Sequence, residues 1–536
     1  MARNDFGELP GFLPFATQHN IHQIWEPSTV ASFVMANGSV VQEYGGPDTL
    51  GLDVPTLTLS AKIQKEAEKH GITRPKGYTV SWHSNPETEN YHFGMSHPMK
   101  PWRLTLTKSL VLSYGMHTAM DAYISRPASE DEIKEYHKDD YVDFLHTVTP
   151  NNLHELYPEL AVQPTGYSSA IYGVGDDCPI FDGVFEYCSL YSGGSIDAAR
   201  KLCNRQSDIA INWSGGLHHA KKGEASGFCY VNDIVLAILQ LLRHHPRVLY
   251  IDIDVHHGDG VEQAFWSTDR VMCVSFHKYD KEQFFPGTGP LESTGPIHPD
   301  NPGRNYTINV PLHDGIDDKM YSYLFTNIIG PCINMYNPTA IVLQCGADSL
   351  GHDRLGCFNL NIQGHGDCVR YVKTFNRPLL VVGGGGYTPR NVARAWAHET
   401  SILIGADKTL DPTLPEFMPN REAFRKGGMT LFPVLGDWKH QNLNTKQDVD
   451  RIVRHVHEQL RYVRSAPSVQ LSHIPPDIQG WKEDAENEWK ERKARDEETR
   501  EGRDGAGGLR AQLSRRKEME RNGVVGGNAR LGDSLL

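Results

Sequence analysis

The chain has 536 residues, a formal net charge of −13 and 39% hydrophobic residues, a composition typical of a globular protein. An acidic chain without large Lys and Arg clusters is poorly suited to phosphate binding, so we expect no direct DNA binding. No apolar run approaches the ~18 residues that a membrane helix needs, so we expect no membrane association. The nine cysteines contain no C-x-x-C pair and indicate neither a zinc finger nor a thioredoxin-like motif.

Three regions follow one another along the chain. Residues 1–77 have the composition of an N-terminal extension, with one predicted helix around residues 60–70. In residues 78–475 short β-rich runs alternate with helical patterns, which indicates one α/β domain. Residues 476–536 are highly charged with Gly-rich breaks, and we predict a solvated helix over 481–500 followed by a largely disordered tail.

Short runs rich in Val and Ile mark the predicted strands. They are bounded by Gly, Pro, Asp or His and cover residues 208–213, 247–255, 270–276, 339–345 and 378–382. Runs of this kind predict strands that are buried on both faces. Residues 231–244 carry an apolar stripe at helical spacing, which predicts a helix between two of the strands. The alternation predicts an α/β fold with a central, mostly parallel sheet and helices on both faces.

Four of the predicted strands end in chemically capable side chains. These are the adjacent His218 and His219, then Asp254 with His256, then Asp348, and finally Tyr387 after four glycines. Ligands of parallel α/β sheets bind beyond the carboxyl ends of the strands. The sequence therefore predicts one shared site at that edge of the sheet.

Asp254, His256 and Asp348 are candidate metal ligands. The first two are separated by one residue at a strand end, so their side chains leave the same face. Three protein ligands leave a fourth position for water, as in catalytic zinc sites. Taken alone, the Asp254–His256 pair is as well explained as a structural loop, but the other strand ends favour metal binding.

Two positions close to the candidate ligands in sequence indicate how many metal ions the site holds. A two-metal amidine hydrolase of this topology typically carries the motifs D-x-H-x-D and D-x-D. Gly258 and Leu350 stand where the additional carboxylates would be. We therefore expect a single metal ion.

The remaining strand-end residues fit acid–base chemistry on an amide. One of His218 and His219 can act as general base and then general acid, a role worth roughly 10²–10⁴ in rate. Asp252 and Asp259 could each orient one of these histidines. Tyr387 can donate to the oxygen that becomes negative, worth roughly 10²–10³ in rate. In isolation, a buried histidine pair and a half-buried tyrosine would be the simpler interpretations.

Aromatic side chains near the site suggest the shape of the substrate. Facing rings from Phe228 and from the adjacent Phe284 and Phe285 could form a slot for an alkyl chain such as the stem of an acylated lysine. Burying four methylenes there would contribute about 3 kcal/mol, at ~0.8 kcal/mol each. Either ring alone could equally be a core aromatic.

These residues lie in segments that match a known family. Over roughly residues 78–470 the chain resembles the class I histone deacetylases, with matching segments at 94–101, 215–222, 227–233, 250–260, 345–360 and 383–394. The resemblance implies an arginase-like α/β fold and a catalytic domain over 78–475. It also implies zinc-dependent hydrolysis of acetyl-lysine on histone tails, in transcriptional regulation and in the nucleus.

The resemblance also implies individual roles. Zinc would be held by Asp254, His256 and Asp348. The catalytic group would be His219 as general base and acid, His218 as its electrostatic partner, Asp259 and Asp252 as their orienting carboxylates, and Tyr387 as the carbonyl donor. The substrate group would be the tunnel rings Phe228 and Phe285, the amide acceptor Gly227, the rim carboxylate Asp177 and the rim residue Leu355.

Two further ligands are implied by the family alone. Potassium would bind beside the zinc at Asp252, Asp254, His256, Ser275 and Phe276, and a second ion would bind at Phe265, Thr268, Val271 and Tyr306. Family members in corepressor complexes bind an inositol phosphate between themselves and a SANT-type partner domain. The basic positions for it are His92, Lys100, Arg354 and Arg390, although Ser96 replaces a common glycine nearby.

Some features separate this chain from many relatives. The loops at 278–283 and 290–304 are longer than in most animal relatives, which resembles the fungal branch found in SANT-containing complexes. The alternative function is a deacetylase of non-histone or small-molecule acyl amines. Acyl-polyamine deacetylases place a Glu at the tunnel rim, where this chain has Leu355. A catalytically idle scaffold is a weaker alternative, because every catalytic position is filled.

Overall fold

The structure is a computed structural model that describes residues 58–156, 171–435 and 440–464, together with the single residue 490. The described residues up to 464 belong to one unit, residues 1–467, and Lys490 belongs to a second unit, residues 468–536. Most of the predicted N-terminal extension and of the predicted 481–500 helix therefore lies outside the described residues. The domain boundaries at 77 and 475 stay predictions.

Eight parallel strands form one sheet in the order β2-β1-β3-β8-β7-β4-β5-β6. In chain order they are β1 (Val80–Ser84), β2 (Asp121–Ile124), β3 (Ile209–Asn212), β4 (Val248–Asp252), β5 (Val271–Lys278), β6 (Thr307–Leu312), β7 (Ala340–Gln344) and β8 (Leu379–Val382). The predicted parallel α/β fold is confirmed, and each of the five predicted runs contains or overlaps a strand.

Twelve α-helices surround the sheet within the described ranges. They are α1 (Leu59–Lys69), α2 (Trp102–Ser113), α3 (Glu130–Lys134), α4 (Asp139–Thr147), α5 (Leu153–Leu156), α6 (Val184–Cys203), α7 (Asp233–Leu242), α8 (Asp259–Ala264), α9 (Asp318–Tyr336), α10 (Ile362–Lys373), α11 (Pro389–Leu403) and α12 (Lys446–Leu460). None of the described helices is both long and apolar enough to cross a bilayer.

Both faces of the sheet are buried, which explains why its central strands are apolar throughout. In β4, Leu249 and Ile251 join one hydrophobic cluster, while Val248 and Tyr250 join another on the opposite face. Helix α9 contributes to the first cluster and helices α6 and α7 to the second. Successive side chains of a strand point to opposite faces, so each face has its own helical cover.

Three strands at or next to the edges of the sheet were not predicted from the sequence. β2 and β6 are the two edge strands, and β1 lies next to β2. The residues of β2 are only half-buried or exposed, and β1 carries Ser and His side chains among its apolar ones. Partial cover of β2 removes the need for a continuous apolar run there, whereas β1 and β6 are almost entirely buried but contain polar residues or proline, so their sequence signal is weak.

Helix α1 packs on the body although it precedes residue 78. Ile63 and Ala67 are buried, and a Cβ on Gly115 would lie 2.6 Å from the Ala67 Cβ. Gly115 also has a φ of 78°, a conformation that favours glycine. The close approach of α1 to the turn after α2 therefore requires a glycine at this position.

Candidate active site

The polar strand-end residues meet at the centre of the sheet. β3, β8, β7 and β4 are consecutive neighbours, and each is followed by one of the predicted segments. His218 and His219 follow β3, Asp254 follows β4, Asp348 follows β7, and Tyr387 follows β8. Their convergence is a consequence of parallel pairing, because all carboxyl ends lie at one edge.

Asp254, His256 and Asp348 form a buried cluster in which the potential ligand atoms lie within 4.8 Å of one another. The Nδ1 of His256 is 3.1 Å from Asp254 Oδ1 and also 3.1 Å from Asp348 Oδ2. Backbone amides hold the carboxylates: Val255 N–H donates to Asp348 Oδ1 at 2.9 Å, and Gly385 N–H donates to Asp254 Oδ2 at 2.8 Å.

The donor set of this cluster fits a zinc ion. Two carboxylates and one imidazole are ligands that zinc accepts, and three protein ligands are typical of catalytic sites. Burial, followed by the charge of Asp254, raises the pKa of Asp348 to about 7. A metal cation bound between the two carboxylates would favour the ionised form of both.

The environment explains why a second metal ion would lack ligands. A Cβ on Gly258 would lie 2.2 Å from Asp252 Oδ2, so no carboxylate side chain fits at that position. Leu350 is buried in a hydrophobic cluster. Among the described residues, the Asp254–His256–Asp348 group is also the only candidate cluster of three or more ligands.

The adjacent histidines each contact a different carboxylate. His218 Nδ1 lies 2.7 Å from Asp252 Oδ2, and His219 Nδ1 lies 2.8 Å from Asp259 Oδ1. Since each carboxylate accepts a hydrogen bond from an Nδ1–H, the other ring nitrogen, Nε2, is left to face the site. The ammonium of Lys221 contacts the other oxygen of Asp259.

The two histidines also differ in electrostatics although they are neighbours in sequence. Burial lowers the pKa of His218, but the carboxylates of Asp252 and Asp254 outweigh it and raise the pKa to about 9. Burial and the charge of His218 lower the pKa of His219 to about 3. Of the two, His219 is therefore the one that is unprotonated near neutral pH and has a free ring nitrogen to accept a proton.

Tyr387 follows a glycine run that has no space for side chains. A Cβ on Gly385 would lie 2.0 Å from Asp348 Oδ2, and a Cβ on Gly384 would lie 2.2 Å from Gln344 Nε2. Tyr387 is buried, and its backbone N–H donates to Asp353 Oδ2 at 2.7 Å. Burial, followed by the charges of Asp348 and Asp254, raises the pKa of its phenol well above the usual value. The phenol therefore stays protonated and can donate.

Aromatic rings stand around the entrance to this site. The ring of Phe285 is 4.8 Å from that of His219, and the ring of Phe228 is 5.7 Å from that of Tyr387, between ring centroids. Gly227 has a φ of 52°, and a Cβ there would lie 2.8 Å from the Phe285 ring. Phe285, Leu355 and Asp177 are exposed.

The predicted potassium residues lie around the ends of β4 and β5. Ser275 Oγ accepts from the Gly258 N–H at 3.3 Å, and Phe276 is buried. In the predicted second site, the carbonyl of Phe265 accepts from Thr268 N at 3.3 Å and that of Tyr306 accepts from Cys273 N at 3.0 Å. Val271 is the first residue of β5.

Three of the predicted inositol-phosphate residues interact electrostatically. Burial and the charge of Arg354 lower the pKa of Lys100, while burial and the charge of Lys100 lower the pKa of His92. Lys100 Nζ donates to the carbonyls of Gly94 at 2.8 Å and Met95 at 2.9 Å. Arg390 lies in the first turn of α11.

Some residues that contact the site were not singled out from the sequence. Gln344, the last residue of β7, donates to Asp254 Oδ2 at 3.0 Å and accepts from the Gly346 N–H at 2.8 Å. Arg103 on α2 donates to the carbonyls of Gly384 and Gly386 at 2.5 and 2.9 Å. A polar Gln within an apolar run was a usable signal, whereas nothing local marks Arg103.

A parallel α/β sheet with one Asp–His–Asp cluster and a histidine pair at its carboxyl edge defines a metal-dependent hydrolase with an arginase-like fold. Residues 97–403 match the family described as "Histone deacetylase domain". Histone deacetylase 9 of Arabidopsis thaliana is 51% identical over 410 residues, which cover 76% of this chain and 92% of the relative. Histone deacetylase 1 of Homo sapiens is 48% identical over 398 residues, 74% of this chain and 78% of the relative.

The chain belongs to the histone deacetylase family, and its relatives place it among the class I enzymes. Histone deacetylase B of Dictyostelium discoideum is a further relative, 51% identical over 401 residues that cover 74% of this chain and 90% of that protein. The resemblance drawn from the sequence motifs is thereby confirmed at the level of the family. Its fungal sub-branch stays a prediction.

Proposed function

We propose that this chain hydrolyses the acetyl amide of Nε-acetyl-lysine in histone tails, with zinc held by Asp254, His256 and Asp348. The observation that carries the proposal is the buried three-ligand cluster beside a histidine pair whose members have opposite pKa shifts. A zinc ion bound there would lower the pKa of water to about 7 and polarise the substrate carbonyl.

The protein's own groups account for the proton transfers. His219 takes a proton from the attacking water through Nε2, because Asp259 already fixes its Nδ1. It then delivers the proton to the lysine nitrogen as the amide bond breaks, so that the products are acetate and a free amine. His218, paired with Asp252, stays protonated beside it. The phenol of Tyr387 donates to the carbonyl oxygen as negative charge develops there.

Substrate recognition would use the rim and the aromatic walls. The stem of the acyl-lysine would lie between the Phe228 and Phe285 rings, and its amide N–H would donate to the Gly227 carbonyl. The exposed carboxylate of Asp177 would accept from the substrate backbone. Leu355 at the rim offers no charge to a polyamine, which favours a peptide substrate over acetylspermidine.

Further ligands and partners complete the proposal. Potassium would occupy the residues assigned above around β4 and β5, and these sites stay predictions. The effect of the Arg354 charge on the pKa of Lys100, and of the Lys100 charge on the pKa of His92, supports a polyanion site, which would take an inositol phosphate together with a SANT-type corepressor subunit. Such an assembly would work on chromatin in the nucleus as a transcriptional repressor.

The test is hydrolysis by the purified full-length chain of an acetylated histone-tail peptide and of acetylspermidine, with and without a SANT-domain partner and inositol phosphate. We expect faster hydrolysis of the peptide, and loss of that activity in His219→Ala. Preference for acetylspermidine, or undiminished activity in His219→Ala, would contradict the proposal.

A further inference from the structure

A histidine–glutamate pair lies buried behind the metal cluster and has no part in the chemistry described so far. His365 on α10 and Glu399 on α11 are both fully buried, and His365 Nδ1 contacts the Glu399 carboxylate directly. Burying such a pair costs desolvation energy that a hydrophobic pair would not cost. Its position therefore calls for an explanation other than stability.

The other side of the His365 ring faces the loop that carries a proposed metal ligand. His365 Nε2 lies 3.0 Å from the carbonyl oxygen of Gly346. A carbonyl can only accept, so Nε2 carries a proton, and because Nδ1 faces the Glu399 carboxylate, both ring nitrogens act as donors. Gly346 precedes the short 3-10 turn Ala347–Ser349, which contains Asp348.

The Gly346 peptide is held on both sides. Its N–H donates to Gln344 Oε1 at 2.8 Å, while Gln344 Nε2 donates to Asp254 Oδ2 at 3.0 Å. A Cβ on Gly346 would lie 2.0 Å from Asp254 Oδ2, so this backbone passes directly against one ligand as it leads to the other. A shift of the Gly346 carbonyl would therefore alter the spacing of Asp254 and Asp348.

We propose that His365 and Glu399 are positioning residues that fix the Gly346 carbonyl and thereby the separation of the two carboxylate ligands. The pair acts through the backbone and touches neither substrate nor ligand side chain. Hydrogen-bonded groups behind metal ligands typically change metal affinity by 10–100-fold. This inference rests on the proposed metal site.

The test compares His365→Leu with His365→Gln in the full-length chain. Both changes deprive Glu399 of its partner, but only Gln can place an N–H near the position of Nε2. The readouts are the zinc dissociation constant, from competition with a chromophoric chelator, and kcat and KM on an acetylated peptide.

We expect His365→Leu to raise the zinc dissociation constant about tenfold and to lower kcat without changing KM. His365→Gln should stay within about threefold of the wild type, because its amide replaces the lost donor. Equal zinc affinities in the two variants would overturn the proposal, since both disturb the buried pair to the same extent.

A second variant covers the case in which neither His365 variant folds. Glu399→Gln keeps the side-chain shape and should weaken zinc binding about threefold, because a charge-assisted hydrogen bond is roughly twice as strong as a neutral one. Its matched control is Glu66→Gln. Glu66 lies on α1, and its Oε1 is 2.9 Å from Nε2 of His70, the C-cap residue of the same helix. Identical zinc affinities in the two glutamine variants would contradict the positioning role of Glu399.

Asp348→Asn in the same titration distinguishes failure of the proposed metal site from failure of the positioning role. If it leaves zinc affinity unchanged, the proposed metal site itself is wrong. If it weakens zinc binding while the His365 variants do not, the metal site stands and only the positioning role fails.

Discussion

Side chains that are neighbours in sequence can acquire opposite properties from their surroundings. His218 faces Asp252 and Asp254, and its pKa rises to about 9, while His219, next to that charge, has a pKa of about 3. Both are buried, so burial alone cannot explain the difference. The division of labour between an electrostatic partner and a proton acceptor is set by which carboxylates each ring meets.

Much of this residue chemistry was predictable from the sequence. The strand-end residues were singled out because polar groups that follow apolar runs must lie at the edge of a parallel sheet. Gln344 and the His365–Glu399 pair were not, because their partners are fixed by packing between elements that are distant in sequence. No periodicity shows which way a buried helical side chain is directed.

At the scale of one residue, Tyr387→Phe removes a single hydrogen-bond donor and little volume. We expect turnover to fall by roughly 10²–10³-fold, as for the loss of one oxyanion donor, with zinc content unchanged. Steady-state kinetics and elemental analysis of the same preparation measure both. Near-normal turnover would remove the assignment of Tyr387 as the carbonyl donor.

The loop elements after the strands decide whether the site can assemble. Because residues 384 and 385 are glycines, the loop that follows β8 can pass directly against Gln344 and Asp348. The order of the strands in the sheet could not be read from the sequence, because strands β1, β2 and β6 carry weak signals and pairing depends on long-range contacts. Parallel direction and the shared edge were nevertheless predictable from the alternation of strands and helices.

At this scale, Gly385→Ala should damage the metal cluster. The added Cβ would lie 2.0 Å from Asp348 Oδ2, so the carboxylate must move. We expect zinc affinity to fall at least about tenfold. The control is Gly223→Ala, whose Cβ would approach only the flexible side chain of Lys138, at 3.0 Å. Comparable zinc affinities in the two alanine variants would contradict the geometry of the loop.

Over the whole molecule, an acidic chain carries a local basic cluster. The net charge is −13, yet the charge of Arg354 adds to burial in lowering the pKa of Lys100, and the charge of Lys100 adds to burial in lowering the pKa of His92. Like charges gathered on one surface are unfavourable unless an anion joins them. The sequence identified these residues only through the family resemblance, since they come from segments separated by more than two hundred residues.

Charge reversal tests this cluster in the complete chain. Arg354→Glu should weaken binding of inositol hexakisphosphate by about tenfold or more, because one attractive charge becomes repulsive, while basal peptide hydrolysis persists. Arg425→Glu, at an exposed position that pairs with Glu422, should leave binding unchanged. Isothermal titration calorimetry measures both, and equal affinities would argue against the proposed polyanion site.

The central claim is that one zinc ion, held by Asp254, His256 and Asp348, activates this enzyme. The most direct measurement is zinc stoichiometry and affinity of the purified full-length chain, wild type and Asp254→Asn, with deacetylation followed on the same samples. The account predicts one zinc per active chain, and at least about tenfold weaker binding together with lost activity in the variant. Two zinc ions per chain, or unchanged zinc affinity in Asp254→Asn, would contradict it.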